Sequence, residues 1–493
     1  MSGDQVDPTT LPDTTLSAGL SPIDRRLMFG SLPMPDMTTA VQRRIRAAIG
    51  LGYFADGERL PREADLAQSL GVTIFALREA LSVLRDEGLI VTRAGRNGGS
   101  FVRSRQASRS LAVAELKGLS ATELRDLGDW RHMLASVSAY LAAQRASESN
   151  RARLREYATQ VGVATSPIEA RRAHGRFHVE LAAAAQSIRM SKAQFAMQEE
   201  FDWLFGLVLD DPRERQERSQ SLLAIVEALD RHEPEAARSA ADRHSVATVQ
   251  GLARLRLECI ATDRMLSVEV SGLTLASELA QLTQDLLTTL TRLAKSCGPL
   301  LAKPTDGSEL RARVASGVLA SLGDIRFAVH GMGVLADVGI VDGHPYWVDW
   351  WHRTQDGTVH DVTHVIDPSR EDFYNYVDSE YMSYPREHRV PWAAGPYVDY
   401  GGVNDYTLTV TVPIVARGRF LGVAAADLLV ADIEKQLAPW LAAIGVPCLF
   451  LNAEDRVVAA NSVGHMVGDV VQSTTGYEKH PVGRFGWKIL TKT

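Results

Sequence analysis

Apolar positions recur at helical spacing through the first part of the chain. Val41, Ile45, Ala48 and Ile49 mark one face of a helix over 38–51. Leu66, Leu70, Leu77, Leu81 and Leu84 mark a face shared by two shorter helices, with Gly71 at the turn between them. Pro61 suits a first helical position and Thr73 a cap on the second helix. The period then shortens: Leu89-Ile90-Val91 and Ser100-Phe101-Val102 flank RAGRNGG, whose glycines suit the tip of a hairpin. Helix, helix, turn, helix and basic hairpin predict a winged helix-turn-helix over 37–105. Its last helix would enter a DNA major groove, and its wing would touch backbone or minor groove.

The pattern changes twice more. From Leu119 to Leu255 alanine-rich amphipathic stretches alternate with polar breaks such as ESN, TSPIE and DDPRER, which predicts five to seven antiparallel helices in a bundle over 106–258. From Leu266 to Leu301 a stripe containing Leu273, Leu275, Leu279, Leu282, Leu286, Leu287, Leu290 and Leu293 predicts a connector or dimer-forming helix. Runs of strand type follow, among them RFAVHGMGVLAD, YTLTVTVPIV and RFLGVAAADLLV, so 259–493 reads as a PAS-like α+β domain, a long helix leading into an antiparallel sheet. Residues 1–36, rich in Pro, Ser, Thr and Asp, read as a disordered arm. The fold class expected is therefore multidomain, α and α+β.

Composition sharpens this in one place. The 493-residue chain carries a net charge of −7, which argues against a surface coated for nucleic acid. Residues 39–105 differ, with eleven Arg against seven Asp plus Glu, a net of +4. Cys259, Cys297 and Cys448 are few and scattered, without a C-x-x-C pattern, which fits a reducing cytoplasm. No apolar run is long enough to span a bilayer, so no membrane partner is expected.

LPREADLAQSLGV, LREALSVLRDEGLI and RAGRNGGSFV together resemble the GntR family of bacterial transcription regulators. The resemblance implies operator contacts from Arg62, Thr73, Arg78, Arg96, Asn97 and Gly98. It also exposes two departures, because Ala64 and Ile74 hold positions that are usually arginine in the family. LRDLGDWRHMLASVSAYLAAQRA, HGRFHVELAAAA and IVEALDRHEPEAARSAADRH resemble the FadR subfamily, whose effector domain is called FCD. That resemblance implies one divalent, zinc- or nickel-like ion on positions that fall here at His174, His178, Leu222 and His244, of which Leu222 cannot ligate. Arg131 matches an arginine facing the same cavity. A four-residue spacing stacks His174 and His178 on one helix face.

The last part resembles a Cache sensor, through WVDWWHR with QDG, GPYVDYGGVNDYTLTVTVPI, RFLGVAAADL and FLNAEDRVVAAN. The resemblance implies a pocket with Asp399 and Asp427 facing a ligand amine, walled by Trp350, Tyr381, Trp392 and Tyr397 with Tyr406. Arg389-Val390-Pro391-Trp392 only approximates the family's carboxylate clamp, which favours an amine without a clamped carboxylate. Aromatic density among Asp349, Asp378, Asp399 and Asp405 supports the same class, since carboxylates beside π faces suit an ammonium group.

Three readings follow. The first is a one-component regulator, a homodimer on near-palindromic operator DNA, controlled by a small amine or amino-acid-like effector. The second is a metal-responsive regulator sensing through His174, His178 and His244. The third is an enzyme fused to a DNA reader, suggested by His352, His360 and His364 but lacking G-x-S-x-G or H-E-x-x-H.

Overall fold

The computed structural model describes residues 37–95, 98–103, 105–263, 270–303, 307–323, 325–354, 357–370, 373–399 and 405–493. The expected arm over 1–36, wing residues Arg96 and Asn97, Gln355 and Asp356 of QDG, and Tyr400 lie outside the described residues. The described chain forms two compact units: residues 276–433 with 482–487, and residues 37–275 with 434–481 and 488–493.

The reader comprises α1 (Met37–Gly50), α2 (Glu63–Leu70), α3 (Ile74–Asp86) and the hairpin of β1 (Ile90–Arg93) with β2 (Gly99–Val102). Leu77, Ala80, Leu81 and Leu84 of α3 pack with Val41, Ile45 and Ile49 of α1 and with Ile90 and Val102 of the hairpin. Gly71 takes the left-handed conformation that ends α2, and Thr73 Oγ1 accepts from Ala76 N to cap α3. Pro61 lies outside the helix, because α2 begins at Glu63 behind an extended Arg62. At the wing, a Cβ on Gly98 would sit 2.4 Å from Arg93 O, and Gly95 holds φ +106°, so both positions require glycine.

The bundle runs through α4 (Arg105–Gly118), α5 (Ala121–Arg145), α6 (Glu148–Val163), α7 (Pro167–Ala184), α8 (Ile188–Met197), α9 (Pro212–Asp230) and α10 (Pro234–Asp263). Ser120, Ser147 and Ser166 each start a helix through a capping box, and Asp211 caps α9. Alanines let these helices approach closely around Phe177, Leu181, Leu222, Ile225 and Val226. The reader seats on the bundle: a Cβ on Gly52 would lie 2.5 Å from Ile168, Arg172 donates to the Gly52 carbonyl, and Arg44 pairs with Glu199.

Further along come α11 (Gly272–Leu301) and α12 (Gly307–Gly323). The leucine stripe of α11 is buried within the chain except for Leu273, 62% exposed, so it is not the free dimerisation face that the pattern allowed. A six-stranded antiparallel sheet has the order β5-β4-β3-β8-β7-β6. Its strands are β3 (Gly331–Ala336), β4 (Val348–Arg353), β5 (Val359–Val362), β6 (Trp392–Val398), β7 (Tyr406–Ala416) and β8 (Arg419–Leu429). Helix α13 (Glu380–His388) precedes β6, and α14 (Val430–Ala443) follows β8. A second sheet has the order β10-β9-β12-β11, from β9 (Cys448–Leu451), β10 (Val457–Ala460), β11 (Tyr477–Val482) and β12 (Trp487–Lys492). The strand pattern anticipated antiparallel pairing but not this division into two sheets. Glu434, on α14, is buried against Arg256 of α10 at 2.6 Å and accepts from Ala121 N at the start of α5.

Candidate functional sites

One face of the six-stranded sheet is built to leave a hollow. Gly331, Gly333 and Ala425 fall on the same side as Trp350, Thr409 and Asp427, because Gly333 pairs across to both Trp350 and Ala425, and Asp427 pairs to both Gly331 and Thr409. Small residues there leave the sheet surface low while larger neighbours rise around it. A register shift between Ala394 and Tyr397 breaks the β6 ladder at Gly395-Pro396, just before Tyr397 and Asp399.

The resulting cleft is lined by Trp350, Tyr381, Tyr397, Asp399 and Asp427, five of the expected ligand residues. The cavity between these side chains is small, about 10 Å³, so its walls stand nearly closed. Thr409 Oγ1 donates to Asp427 Oδ1 at 2.7 Å, and the Tyr397 hydroxyl lies 2.7 Å from the same Thr409 oxygen. The Tyr374 and Tyr381 hydroxyls are 2.8 Å apart. Burial, and then the Asp399 charge, push the Asp427 carboxyl up to about 8, with the Thr409 hydrogen bond opposing them. Burial and the neighbouring histidines lower the His352 imidazole to about 4, so it is neutral near pH 7. No lysine or arginine lines the cleft among the described residues. Two acidic groups, aromatic walls and no fixed cation can hold a small ammonium ion.

Several expectations are corrected here. Trp392 does not line the cleft: it stacks on Tyr384 at 3.7 Å and donates to Glu380. Arg389 lies over Phe420, 5.0 Å from the ring centre, and forms no carboxylate clamp at the cleft. Asp349 is buried beneath Arg311 at 3.1 Å, an ion pair of the sheet's other face. Conversely His352, His364, Tyr374 and Thr409 line the cleft. The histidines were visible in sequence only as a hydrolase-like cluster, and Thr409 only as part of an alternating strand.

The bundle holds a second cluster. His174, His178 and His244 are buried, and their candidate ligand nitrogens all lie within 4.8 Å of one another. His174 Nε2 and His244 Nε2 are 3.3 Å apart. Ser221 Oγ donates to Arg218 O, so the 2.7 Å contact with His244 Nδ1 uses an imidazole proton and leaves Nε2 bare. Arg131, which can only donate, sits 2.8 Å from His178 Nε2. Burial and then Arg131 hold all three imidazoles well below their usual pKa, hence neutral, as ligands must be. Leu222, at the expected fourth position, is fully buried apolar core. The His174 and His244 nitrogens, 3.3 Å apart, suit an ion, while Arg131 occupying His178 Nε2 opposes one.

On the reader, Arg62 is exposed at the start of α2, and Thr73 spends its hydroxyl on the α3 cap. Arg78 is 68% exposed and its Nε donates to Glu63 at 2.7 Å. Gly98 shapes the wing.

Residues 37–102 match the family described as bacterial regulatory proteins of the gntR family, and residues 126–247 match the FCD domain. An HTH-type transcriptional regulator named RmpR, from Mycobacterium gastri, is 40% identical over 174 residues, 35% of this chain and 64% of that protein. The L-lactate dehydrogenase operon regulatory protein of Escherichia coli (strain K12) is 32% identical over 157 residues, 31% of this chain and 60% of that one. The chain thus spans less than two thirds of the length of these relatives. Among solved structures, E. coli McbR/YncC is similar over 44% of this chain and 98% of its own, at 17% identity and TM-score 0.28. Methyl-accepting Chemotaxis protein X is similar over 45% and 97%, at 17% identity and TM-score 0.32. The chain thus carries a gntR-type reader followed by an FCD domain, as its similarity to HTH-type transcriptional regulators also indicates, with a C-terminal antiparallel-sheet domain after them.

Proposed function

We propose that this chain is a one-component transcription regulator whose affinity for operator DNA is set by a small amine in a Cache-like C-terminal domain. The observation that carries the effector class is the cleft itself: Asp399 and Asp427 are buried among Trp350, Tyr381 and Tyr397 with no lysine or arginine among the described lining residues. An ammonium guest would place a positive charge against the buried Asp427 carboxyl and the aromatic walls around it. For such a guest to regulate, it must bind the DNA-competent and incompetent forms unequally, by roughly 1–3 kcal/mol of coupling. The expected assembly is a homodimer on a near-palindromic site, with Met133, Val137 and Val246 as exposed apolar residues of the bundle. The test is a thermal-shift screen of primary, secondary and quaternary amines, followed by anisotropy titration of upstream DNA with and without the hits. Saturable DNA binding that no amine alters, with no amine raising the melting temperature, defeats the effector reading.

A second reading rests on the three histidines. A divalent ion at His174, His178 and His244 would serve as a Lewis acid or a structural tie. Arg131, 2.8 Å from His178 Nε2, would have to withdraw for an ion to reach that nitrogen, whereas Arg218 is already paired with Glu214. Metal analysis of the purified protein, with melting before and after chelation, tests this. An unchanged melting temperature and no bound metal leave the histidines as a hydrogen-bonded core cluster.

A further inference from the structure

The exposed end of α3 is apolar where a DNA reader is expected to be polar. Ile74 is 45% exposed and Phe75 71% exposed, and both stand on the first turn of the helix. Ile74 and Phe75 lie four and three residues before Arg78, so the three side chains form one patch on a helix face. The opposite face, Leu77, Ala80, Leu81 and Leu84, is fully committed to the reader's core. Phe75 thus contributes little to the reader's own core and Ile74 only part of its surface, and an exposed apolar patch of this kind marks a contact surface. Arg78 is itself tethered, its Nε donating to Glu63 across the turn.

The surroundings name the occupant. The first turn of the second helix of a helix-turn-helix faces base edges, and residues 39–105 carry a net +4 around it. Of the groups displayed in the major groove, only the thymine C5-methyl is apolar, and aliphatic and aromatic side chains pair with it. We propose that Ile74 and Phe75 read thymine methyl groups, so that the half-site carries thymines beside the base addressed by Arg78. Specificity at these positions then comes from methyl burial and shape, not from hydrogen-bonding forks. This inference rests on the DNA-reader function proposed above.

The experiment uses the full chain. Duplexes are selected from a random-sequence library, and each thymine of the recovered half-site is replaced in turn by deoxyuridine, which removes only the methyl. Binding is followed by anisotropy at fixed salt. One or two positions per half-site should lose about fourfold in affinity, the worth of one buried methyl. F75A, whose unchanged melting temperature shows intact folding, should bind thymine and deoxyuridine duplexes equally at one of those positions. I74R should shift the selected base there from thymine towards guanine. Full affinity on deoxyuridine throughout overturns the methyl readout while leaving the reader intact. Failure to select any duplex overturns the reader itself, and this inference with it.

Discussion

At the scale of single residues, the burial of Asp427 has a consequence in both pH and ligand affinity. Its value in the folded chain, about 8, lies above the ordinary carboxylate range near 4. The unfolded chain therefore gives up this proton first. Asp427's contribution to stability is complete below about pH 4 and is lost as pH climbs towards about 8. A bound ammonium reverses the preference, because it favours the carboxylate. Amine affinity should rise with pH to a plateau near pH 8, with about one proton released per amine bound at neutral pH. Calorimetry in two buffers of different ionisation enthalpy measures that proton. D427N should flatten the decline in melting temperature between pH 5 and 8 and weaken amine binding at least about tenfold, as loss of a charge-assisted hydrogen bond requires. Equal proton release in D427N would assign the titration to another group.

At the scale of elements, the helix-turn-helix was legible because each local signal has one physical meaning. Gly71 ends a helix in a left-handed conformation, Thr73 caps the next, and the leucine spacing places one face inside. T73A should cost about 1 kcal/mol of reader stability, the usual worth of such a cap, read as a lower denaturant midpoint. The wing is more sensitive. G98A would bring a Cβ to 2.4 Å from Arg93 O, so the hairpin must distort and DNA affinity should fall while the melting of the bundle stays unchanged. The cleft was legible only in part. Asp399, Asp427, Trp350, Tyr381 and Tyr397 carried a pattern, but Trp392 carried the same pattern and stacks on Tyr384 instead. Sequence does not encode which of two neighbouring aromatics a strand turns inward. His352 and Thr409 enter the cleft only through cross-strand register, which pairs residues far apart in sequence. The stripe on α11 shows the converse: an amphipathic face announces burial but not against what.

At the scale of the molecule, buried charges tie the segment after β8 to the bundle. Glu434, Arg256 and the backbone at Ala121 form one hydrogen-bonded knot, and Arg256 Nε also donates to Leu119 O at 2.6 Å. E434Q would leave the Arg256 guanidinium buried without its counter-charge. A loss of roughly 3–5 kcal/mol is expected, measured as a fall in the denaturant midpoint. The seat of the reader invites a second test. Gly52 holds φ +74° against Ile168, so G52V adds both backbone strain and a clash. It should separate the melting of reader and bundle into two calorimetric transitions, and leave DNA affinity indifferent to an effector that still binds.

The floor of the cleft bears on how such a regulator could be given a new signal. A Cβ on Gly333 would meet Asp349 O at 2.1 Å, so that position cannot grow without moving the sheet. Ala425 already carries its Cβ and faces the hollow, which makes it the dial for guest size. Enlarging that one side chain would exclude bulky guests in favour of slimmer ones, with the DNA-contacting surface untouched. A lineage or an engineer could thus change what such a switch listens to while keeping every gene it addresses.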